Sequence, residues 1–192
     1  GVGSERGADP TEMIRLVTET LRQHGLDPRA VAGVFSLDLK ADEPAMHALA
    51  DALGRPARFF DAATLEAEAS RLATPSEAVF REVGCHGVSE GAALAAAGPD
   101  ARLLVVKHKS ERCTCAIAIA PRPIEAAAIG RPRGRLSLVG IGPGKSEWRT
   151  PEAERLIRQA EDLVGYSLYL DILGPLTDGK TRHDYPLGDE TE

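Results

Sequence analysis

The chain has 192 residues, a formal net charge of −6 and a hydrophobic fraction of 43%, which is enough for an ordinary globular core. Its basic residues are scattered and outnumbered by acidic ones, so the sequence lacks the footprint of a nucleic-acid-binding protein. The apolar runs are shorter than the ~20 residues that span a bilayer, and no charged-then-apolar leader is present. We therefore expect a cytoplasmic protein that binds neither nucleic acid nor membrane.

Short apolar runs alternate with helical patterns along most of the chain. This alternation predicts βα units, because consecutive parallel strands need a helical crossover between them. The predicted strands are 31–39, 57–61, 102–107, 113–119, 136–141 and 161–165. The predicted helices are 10–24, 43–53, 64–72, 75–83, 89–97 and 151–160.

Three of these helices begin with the same pattern, a capping residue followed by proline. The side chain of the capping residue accepts hydrogen bonds from the first N–H groups of the helix. Proline fits the next position, since an N–H there would have no partner. The predicted starts are "DPTE" with Asp9 as cap, "TPSE" with Thr74 and "TPEAE" with Thr150; Asp42 is predicted to cap a fourth helix.

The order of the elements predicts an α/β fold with a mainly parallel sheet between two helical layers. Strands 102–107 and 113–119 form an antiparallel hairpin at the C-terminal end of the sheet, because only a short turn joins them. The segment 121–134 contains three prolines and three arginines without periodicity, which predicts an interdomain linker. We therefore expect a first domain at 1–120 and the start of a second α/β domain at 135–192.

Three cysteines are too few for a secreted disulfide framework. Alternation puts Cys113 and Cys115 on one face of a strand, and no second Cys/His pair has the spacing of a metal site. Small buried apolar residues are the favoured interpretation, so we expect no bound metal. The five histidines are scattered and are interpreted as surface or capping residues.

Only five of the 23 basic residues are lysines, and three of them stand at the ends of predicted strands. Lys40 follows one strand, while alternation puts Lys107 and Lys109 on one side of the hairpin. Ligand sites of open α/β sheets lie at the carboxyl ends of the strands, where loop N–H groups also face the ligand. Three ammonium groups there would suit a ligand with several carboxylates. Solvated charges at element ends are the alternative, and the pattern alone leaves both open.

The segments "GVGSERGA", "SLDLKADEP", "TPSEAV", "GVSEGAAL" and "LLVVKHKSERCTCAIA" resemble, in this order, the C-terminal domain of cobalamin-biosynthesis protein G. This CbiG family includes the stand-alone CobE, and the resemblance covers essentially 1–120. The full family protein is a cobalt-precorrin-5A hydrolase, which opens a lactone on the contracted ring and releases the excised carbon as acetaldehyde. The resemblance therefore implies a macrocyclic substrate fringed with acetate and propionate carboxylates.

The same resemblance implies where the site lies in this sequence. Lys40 would polarise the lactone carbonyl, and Glu43 or Glu77 would orient water as a general base. A capping box would also explain Glu77 without any catalytic role. Ser76 lies in a first helical turn without a Ser-His-Asp arrangement, so we do not expect a nucleophile. The substrate-binding residues implied are Gly3, Ser76, Lys107, Lys109 and Ser110.

The segments "VGIGPG", "TPEA", "VGYSLYLDIL" and "YPLGDE" resemble the N-terminus of tetrapyrrole methyltransferases, in particular the precorrin-3B C(17)-methyltransferase. The resemblance implies that S-adenosyl-L-methionine binds between two subdomains of the complete, homodimeric domain. It places Gly142, Pro143 and Gly144 in a substrate-binding loop, with Lys145 where relatives carry an acidic residue. Roughly the first quarter of such a domain is present, so we expect no methyltransferase activity from these residues alone.

Together the two resemblances imply a bifunctional protein of corrin-ring formation, of which this chain is a piece cut at both ends. The strand expected before "GVG" would lie outside it. The implied partners are precorrin or cobalt-precorrin intermediates and other enzymes of the same pathway. A non-catalytic module that binds and hands over corrinoid intermediates is the rival to the hydrolase hypothesis.

Overall fold

The computed structural model describes residues 1–186, which divide into two compact units between Gly134 and Arg135. The first unit contains five strands and five α-helices within the described residues. In chain order they are β1 (Val2–Ser4), α1 (Pro10–Gln23), β2 (Val34–Leu37), α2 (Pro44–Leu53), β3 (Ala57–Phe60), α3 (Ala62–Glu66), α4 (Glu77–Val83), α5 (Val88–Ala97), β4 (Arg102–Lys109) and β5 (Cys113–Ile119).

The strands of the first unit form a three-stranded sheet, in the order β1-β5-β4, and a parallel pair, β2-β3. The predicted α/β class and the antiparallel hairpin of β4 and β5 are confirmed. The prediction of a mainly parallel sheet is wrong, because β5 lies between β1 and β4 and runs antiparallel to both. The two sheets are adjacent: the Ser36 hydroxyl on β2 donates to the main-chain oxygen of Val2 on β1 at 2.8 Å.

Helices pack on both faces of these strands. On one face, α1 buries Met13, Val17 and Leu21, which are four residues apart and so lie on one side of the helix. On the other face, α5 is rich in alanine and contacts β1, β2, β4 and β5. Small side chains let this helix approach the sheet closely, which brings its first turn against the ends of the strands.

The segment predicted as a linker, 121–134, instead packs on the first unit. Phe59 on β3 exchanges two main-chain hydrogen bonds of 2.8 Å with Arg131. The guanidinium of Arg58 donates to the main-chain oxygens of Ile129 and Gly130, both at 2.8 Å. The segment thereby covers the edge of β3, which would otherwise expose unpaired main-chain groups. This pairing could not be predicted from local sequence patterns, because the contacting residues are about 70 positions apart in the chain.

The second unit contains α6 (Pro151–Gln159), β6 (Asp162–Tyr166), α7 (Ser167–Leu173) and β7 (Thr181–Tyr185), with β6 and β7 paired in parallel. The predicted strand 136–141 is not formed. Leu136 and Leu138 are 86% and 92% exposed, and no strand of the described residues pairs with this segment. Residues 187–192, which include most of "YPLGDE", lie outside the described residues.

Candidate ligand site at the carboxyl ends of the strands

The loops that follow β1, β2 and β4 meet at one edge of the first unit. The Gly7 N–H in the β1–α1 loop donates to the Glu43 carboxylate in the β2–α2 loop at 2.9 Å. The Arg112 guanidinium in the β4–β5 turn donates to the main-chain oxygens of Arg6 and Gly7. The sequence analysis predicts a ligand site at such an edge, since loop N–H groups and strand-end side chains converge there.

Glu43, predicted as a general base, is buried with 3% exposure and accepts from Gly7 and from the Arg6 guanidinium at 3.1 Å. We call Arg6, Asp42 and Glu43 the Glu43 cluster, because Arg6 also pairs with the exposed Asp42 at 2.7 Å. The predicted capping by Asp42 is wrong: α2 starts after Glu43, which makes no side-chain cap bond. Glu43 therefore holds the β1–α1 loop, and its role as a general base stays a prediction.

Lys107 and Lys109 lie close enough to interact electrostatically. The Lys107 ammonium donates to the main-chain oxygen of Thr74 at 3.0 Å. Burial, with a further contribution from the like charge of Lys109, lowers the pKa of Lys107. The Glu90 carboxylate also acts on the Lys107 charge, but among residues 1–186 neither amine forms a salt bridge, so both can still pair with an anionic ligand.

Lys40 lies after β2, at the end of the short 3₁₀ turn Asp38–Lys40. Its main-chain oxygen accepts from the Glu43 N–H at 3.1 Å, which attaches it to the Glu43 cluster. The charged groups of residues 1–186 that act on the Lys107 amine are Lys109 and Glu90, and Lys40 is not among them. Of the three predicted lysines, the structure brings two into direct interaction.

Glu90 in the first turn of α5 was not identified from the sequence. It is 1% exposed, and its carboxylate accepts from the N–H groups of Ala73, Thr74 and Lys107, each at 2.9 Å, and from the Thr74 hydroxyl at 3.1 Å. Burial alone would raise the pKa of Glu90, but these hydrogen bonds outweigh it and lower the pKa. We call Thr74, Glu90, Lys107 and Lys109 the Lys107 cluster.

Glu90 also explains why the predicted cap at Thr74 is wrong. Its carboxylate engages the N–H and hydroxyl of Thr74, so α4 starts two residues later with Ser76 as the cap. The Ser76 hydroxyl accepts from the Val79 N–H at 3.4 Å. Glu77 consequently occupies the first helical position, makes no capping box, and exposes 83% of its side chain.

His86, interpreted from the sequence as a surface or capping residue, lies beside the same loop. Its ring Nδ1 is 2.9 and 3.0 Å from the two carboxylate oxygens of Glu66, and its own N–H donates to Glu66 at 2.9 Å. Ring Nε2 points outward, 3.3 Å from Glu77 Oε1. The main-chain oxygen of His86 accepts from the Ser76 N–H at 2.8 Å. Lys107 and His86 thus flank the loop 74–76.

Gly3 and Ser110 occupy positions that the packing explains. A side chain on Gly3 would lie 2.8 Å from Thr114 Oγ1 and 3.5 Å from Val88 Cγ1, so glycine lets β1 approach the start of α5. The Ser110 hydroxyl donates to Glu12 on α1, and the Arg112 N–H donates to the same carboxylate at 2.8 Å. The predicted residue Ser110 therefore holds the β4–β5 turn against α1.

The glycine-rich loop of the second unit contains two glycines with positive φ. Gly142 and Gly144 have φ of 68° and 114°, a region that favours glycine. The Lys145 ammonium lies 5.5 Å from the centre of the Trp148 ring, a cation–π contact. The predicted cap at Thr150 is confirmed, since its hydroxyl accepts from the Ala153 N–H at 3.1 Å.

No three His, Cys, Asp or Glu side chains of residues 1–186 are grouped as metal ligands would be. All three cysteines are buried, and burial raises the pKa of Cys113 to about 11. These thiols are therefore protonated at neutral pH. Within the same residues, no helix combines the length and the apolar character that crossing a membrane requires.

Helices on both faces of the strands define a mixed α/β protein. Residues 1–118 match the family described as "Cobalamin synthesis G C-terminus", and the chain belongs to that family. It is therefore a protein of cobalamin biosynthesis.

The chain is 52% identical over 118 residues to "Protein CobE" of Sinorhizobium sp, covering 62% of this chain and 77% of the relative. It is 30% identical over 121 residues to the "Cobalt-precorrin-5A hydrolase" of Priestia megaterium, covering 63% of this chain but only 32% of that enzyme. The chain is also 43% identical over 60 residues to "Cobalamin biosynthesis protein CbiHC" of Archaeoglobus fulgidus. This match covers 31% of this chain and 14% of the relative.

A crystal structure of CobE, "a protein from the cobalamin (vitamin B12) biosynthetic pathway", has a similar fold. The TM-score is 0.58 at 38% identity, over 62% of this chain and 86% of that one. This similarity covers a portion of the chain comparable in length to the first unit.

Proposed function

We propose that the first unit binds a precorrin-5 intermediate of corrin-ring formation, opens its lactone and releases acetaldehyde. The similarity to a cobalt-precorrin-5A hydrolase over 121 residues supports the reaction class. The observation that carries the proposal is the Lys107 cluster at the carboxyl ends of the strands. Two neighbouring amines lie there, and neither forms a salt bridge with a carboxylate of residues 1–186.

In the proposed complex, Lys107 and Lys109 bind acetate and propionate groups at the rim of the macrocycle. An ammonium–carboxylate pair forms charge-assisted hydrogen bonds, and the half-buried position of Lys107 limits screening by water. Lys40 contributes a third amine from the turn after β2. Its proposed role is to bind a further carboxylate or to polarise the lactone carbonyl.

A non-catalytic role in binding and handing over the intermediate is the second candidate. It is supported by the contacts of Glu43, a predicted general base, and of Ser110, a predicted substrate-binding residue, since both side chains hold loops of the protein. The similarity to CobE over 77% of that protein is compatible with either role. The two candidates share the same ligand and differ in turnover.

For the second unit we propose the start of a precorrin methyltransferase, fused to the first unit in a longer polypeptide. The support is 43% identity over 60 residues to CbiHC and the capped helix after the glycine-rich loop. S-adenosyl-L-methionine would be the cofactor of the complete, homodimeric domain, with Gly142, Pro143 and Gly144 at its substrate. Neither unit is proposed to bind a metal ion of its own.

The experiment that separates the two candidates for the first unit is a turnover assay. The chain is incubated with the lactone-bearing intermediate, and acetaldehyde is detected by coupling to alcohol dehydrogenase and NADH. Acetaldehyde formation above the uncatalysed rate supports the hydrolase. A spectral complex that forms without acetaldehyde release supports the binding module, and the absence of both contradicts the proposed ligand.

A further inference from the structure

His86 differs from the other histidines of the first unit in how its ring is held. Its Nδ1 lies within 3.0 Å of both oxygens of the Glu66 carboxylate, so in the neutral ring Nδ1–H donates and Nε2 is the free base. By contrast, the rings of His24 and His47 contact main-chain oxygens, of Thr20 and Ala41 respectively.

Three further contacts fix the His86 ring in place. The Phe80 ring stacks on it with centroids 4.4 Å apart. The His86 N–H donates to Glu66, while its main-chain oxygen accepts from Ser76. The imidazole is therefore held from behind, with Nε2 directed outward. Nε2 faces only the exposed Glu77 side chain, at 3.3 Å. A ring that is fixed at Nδ1 by a carboxylate can use Nε2 for general acid–base catalysis when Glu77 turns away.

The charged groups that face His86 are both carboxylates, Glu66 from α3 and Glu77 from α4. The hydrogen bond to Glu66 raises the pKa of His86, with a smaller contribution from Glu77. Glu77 is 83% exposed and can turn away from Nε2 without breaking any other described contact. The side chain of His86 itself is 23% exposed, so a ligand in front of the loop 74–76 can reach it.

We infer that His86 is the proton-transfer residue for the lactone opening proposed above, and that Glu66 positions it. Nε2 takes a proton from the attacking water as the bond from water oxygen to the lactone carbon forms. The acyl C–O bond then breaks, and the same proton passes from Nε2 to the departing alcohol oxygen. Lactone and water thus give a carboxylic acid and an alcohol, while Glu66 stays ionised. Acetaldehyde forms when the alcohol loses its O–H proton and the bond from the carbinol carbon to the macrocycle breaks, while the macrocycle keeps the electron pair and takes up the proton.

This inference rests on the proposed function and adds His86 to the predicted bases Glu43 and Glu77. Glu43 is buried in structural contacts, and the hydroxyl of Ser76 caps α4. Lys107, across the loop 74–76, is placed to hold the substrate while His86 moves the proton. Lys107 on one side of the loop 74–76 would bind the substrate, and His86 on the other side would transfer the proton.

The test compares wild type with H86Q in the acetaldehyde assay, using the whole chain. We expect a rate at least 100-fold lower, at the low end of the range for general acid–base catalysis, with unchanged affinity for the intermediate. Added imidazole should restore H86A at least tenfold, which a structural role of His86 would not produce. H24Q is the matched control, since His24 contacts only a main-chain oxygen of α1 and a second ring, and its rate should equal that of wild type.

The pH profile supplies a second measurement. The wild-type rate should rise with pH through the raised pKa of His86, because only the neutral ring accepts a proton. In E66Q the midpoint should move to lower pH, since the carboxylate that raises the pKa is gone. Wild-type activity in H86Q, or no shift in E66Q, overturns the inference and leaves the hydrolase proposal standing. Absence of acetaldehyde from wild type overturns both.

Discussion

Two groups of charged residues lie at the carboxyl ends of the strands and differ in how their charges are balanced. In the Glu43 cluster, acidic and basic side chains form ion pairs with each other. Arg6 pairs with Asp42 and Glu43, and these pairs hold the β1–α1 and β2–α2 loops together. In the Lys107 cluster, the buried acid binds only N–H and O–H donors, and the amines contact main-chain oxygen or solvent. The paired charges of the Glu43 cluster stabilise the loops at this edge, whereas the amines of the Lys107 cluster are available to a ligand.

The largest expected effect comes from replacing Glu90, the buried acid of the Lys107 cluster. E90A should lower the free energy of unfolding by about 3 kcal/mol, because four buried donors lose a charged acceptor. Urea denaturation measures this, and E82A, an exposed acid of α4, is the control that should stay near wild type. Equal stability of E90A and E82A would show that the hydrogen bonds of Glu90 do not hold the loop.

The same carboxylate predicts a dependence of stability on pH. The folded-state pKa of Glu90 is lowered from an ordinary value of 4.5, so its contribution is present above pH 4.5 and is lost as pH falls through the folded value. The stability difference between wild type and E90Q should therefore narrow below pH 4.5. A difference that widens in acid would contradict the lowered pKa.

Next in size is the loss of the unpaired amines. The double variant K107M/K109M should bind the intermediate about 100-fold more weakly, since each charge-assisted hydrogen bond contributes about 1.5 kcal/mol. Fluorescence or absorbance titration measures the affinity. K180M is a matched control, because the Lys180 amine likewise donates to main-chain oxygens but belongs to the second unit. A loss in K180M as large as in the double variant would refute the assignment.

Lys40 tests whether the site extends to the Glu43 cluster. K40A should weaken binding about fivefold, consistent with one further amine in a more solvated position, and should leave the melting temperature within 1–2 °C. A large drop in melting temperature would make Lys40 structural. An affinity equal to wild type would confine the site to the Lys107 cluster.

The smallest expected effect concerns the second unit. Titration of the chain with S-adenosyl-L-methionine should give no complex at micromolar concentrations, because the matched segment corresponds to only 14% of the CbiHC relative. Isothermal calorimetry measures it, with a complete methyltransferase as positive control. A micromolar complex would show that residues 135–192 carry the cofactor site themselves.

Features set by neighbouring residues were predictable from the sequence. The caps of α1 and α6 follow from Asp9 and Thr150, whose side chains bond N–H groups two or three residues away. The hairpin of β4 and β5 follows from its short turn. The lysine pair follows from strand alternation over three residues, and the structure brings both amines together.

Features set by distant partners were not predictable. The cap at Thr74 fails because Glu90, 16 residues later, binds its N–H and hydroxyl. The prediction of a mainly parallel sheet is wrong because β1 pairs antiparallel with β5, which lies more than 100 residues later in the chain. The role of His86 depends on Glu66, 20 residues earlier, and "GCHG" carries no local pattern that would indicate the pair.

The central claim is that unpaired lysines of the Lys107 cluster bind the carboxylates of a macrocyclic intermediate. The most direct measurement is a double cycle, in which wild type and K107M/K109M are each titrated with the free-acid intermediate and with its peripheral methyl esters. We predict that esterification weakens binding to wild type by about 100-fold and hardly affects the double variant. Equal losses in both proteins would contradict the claim.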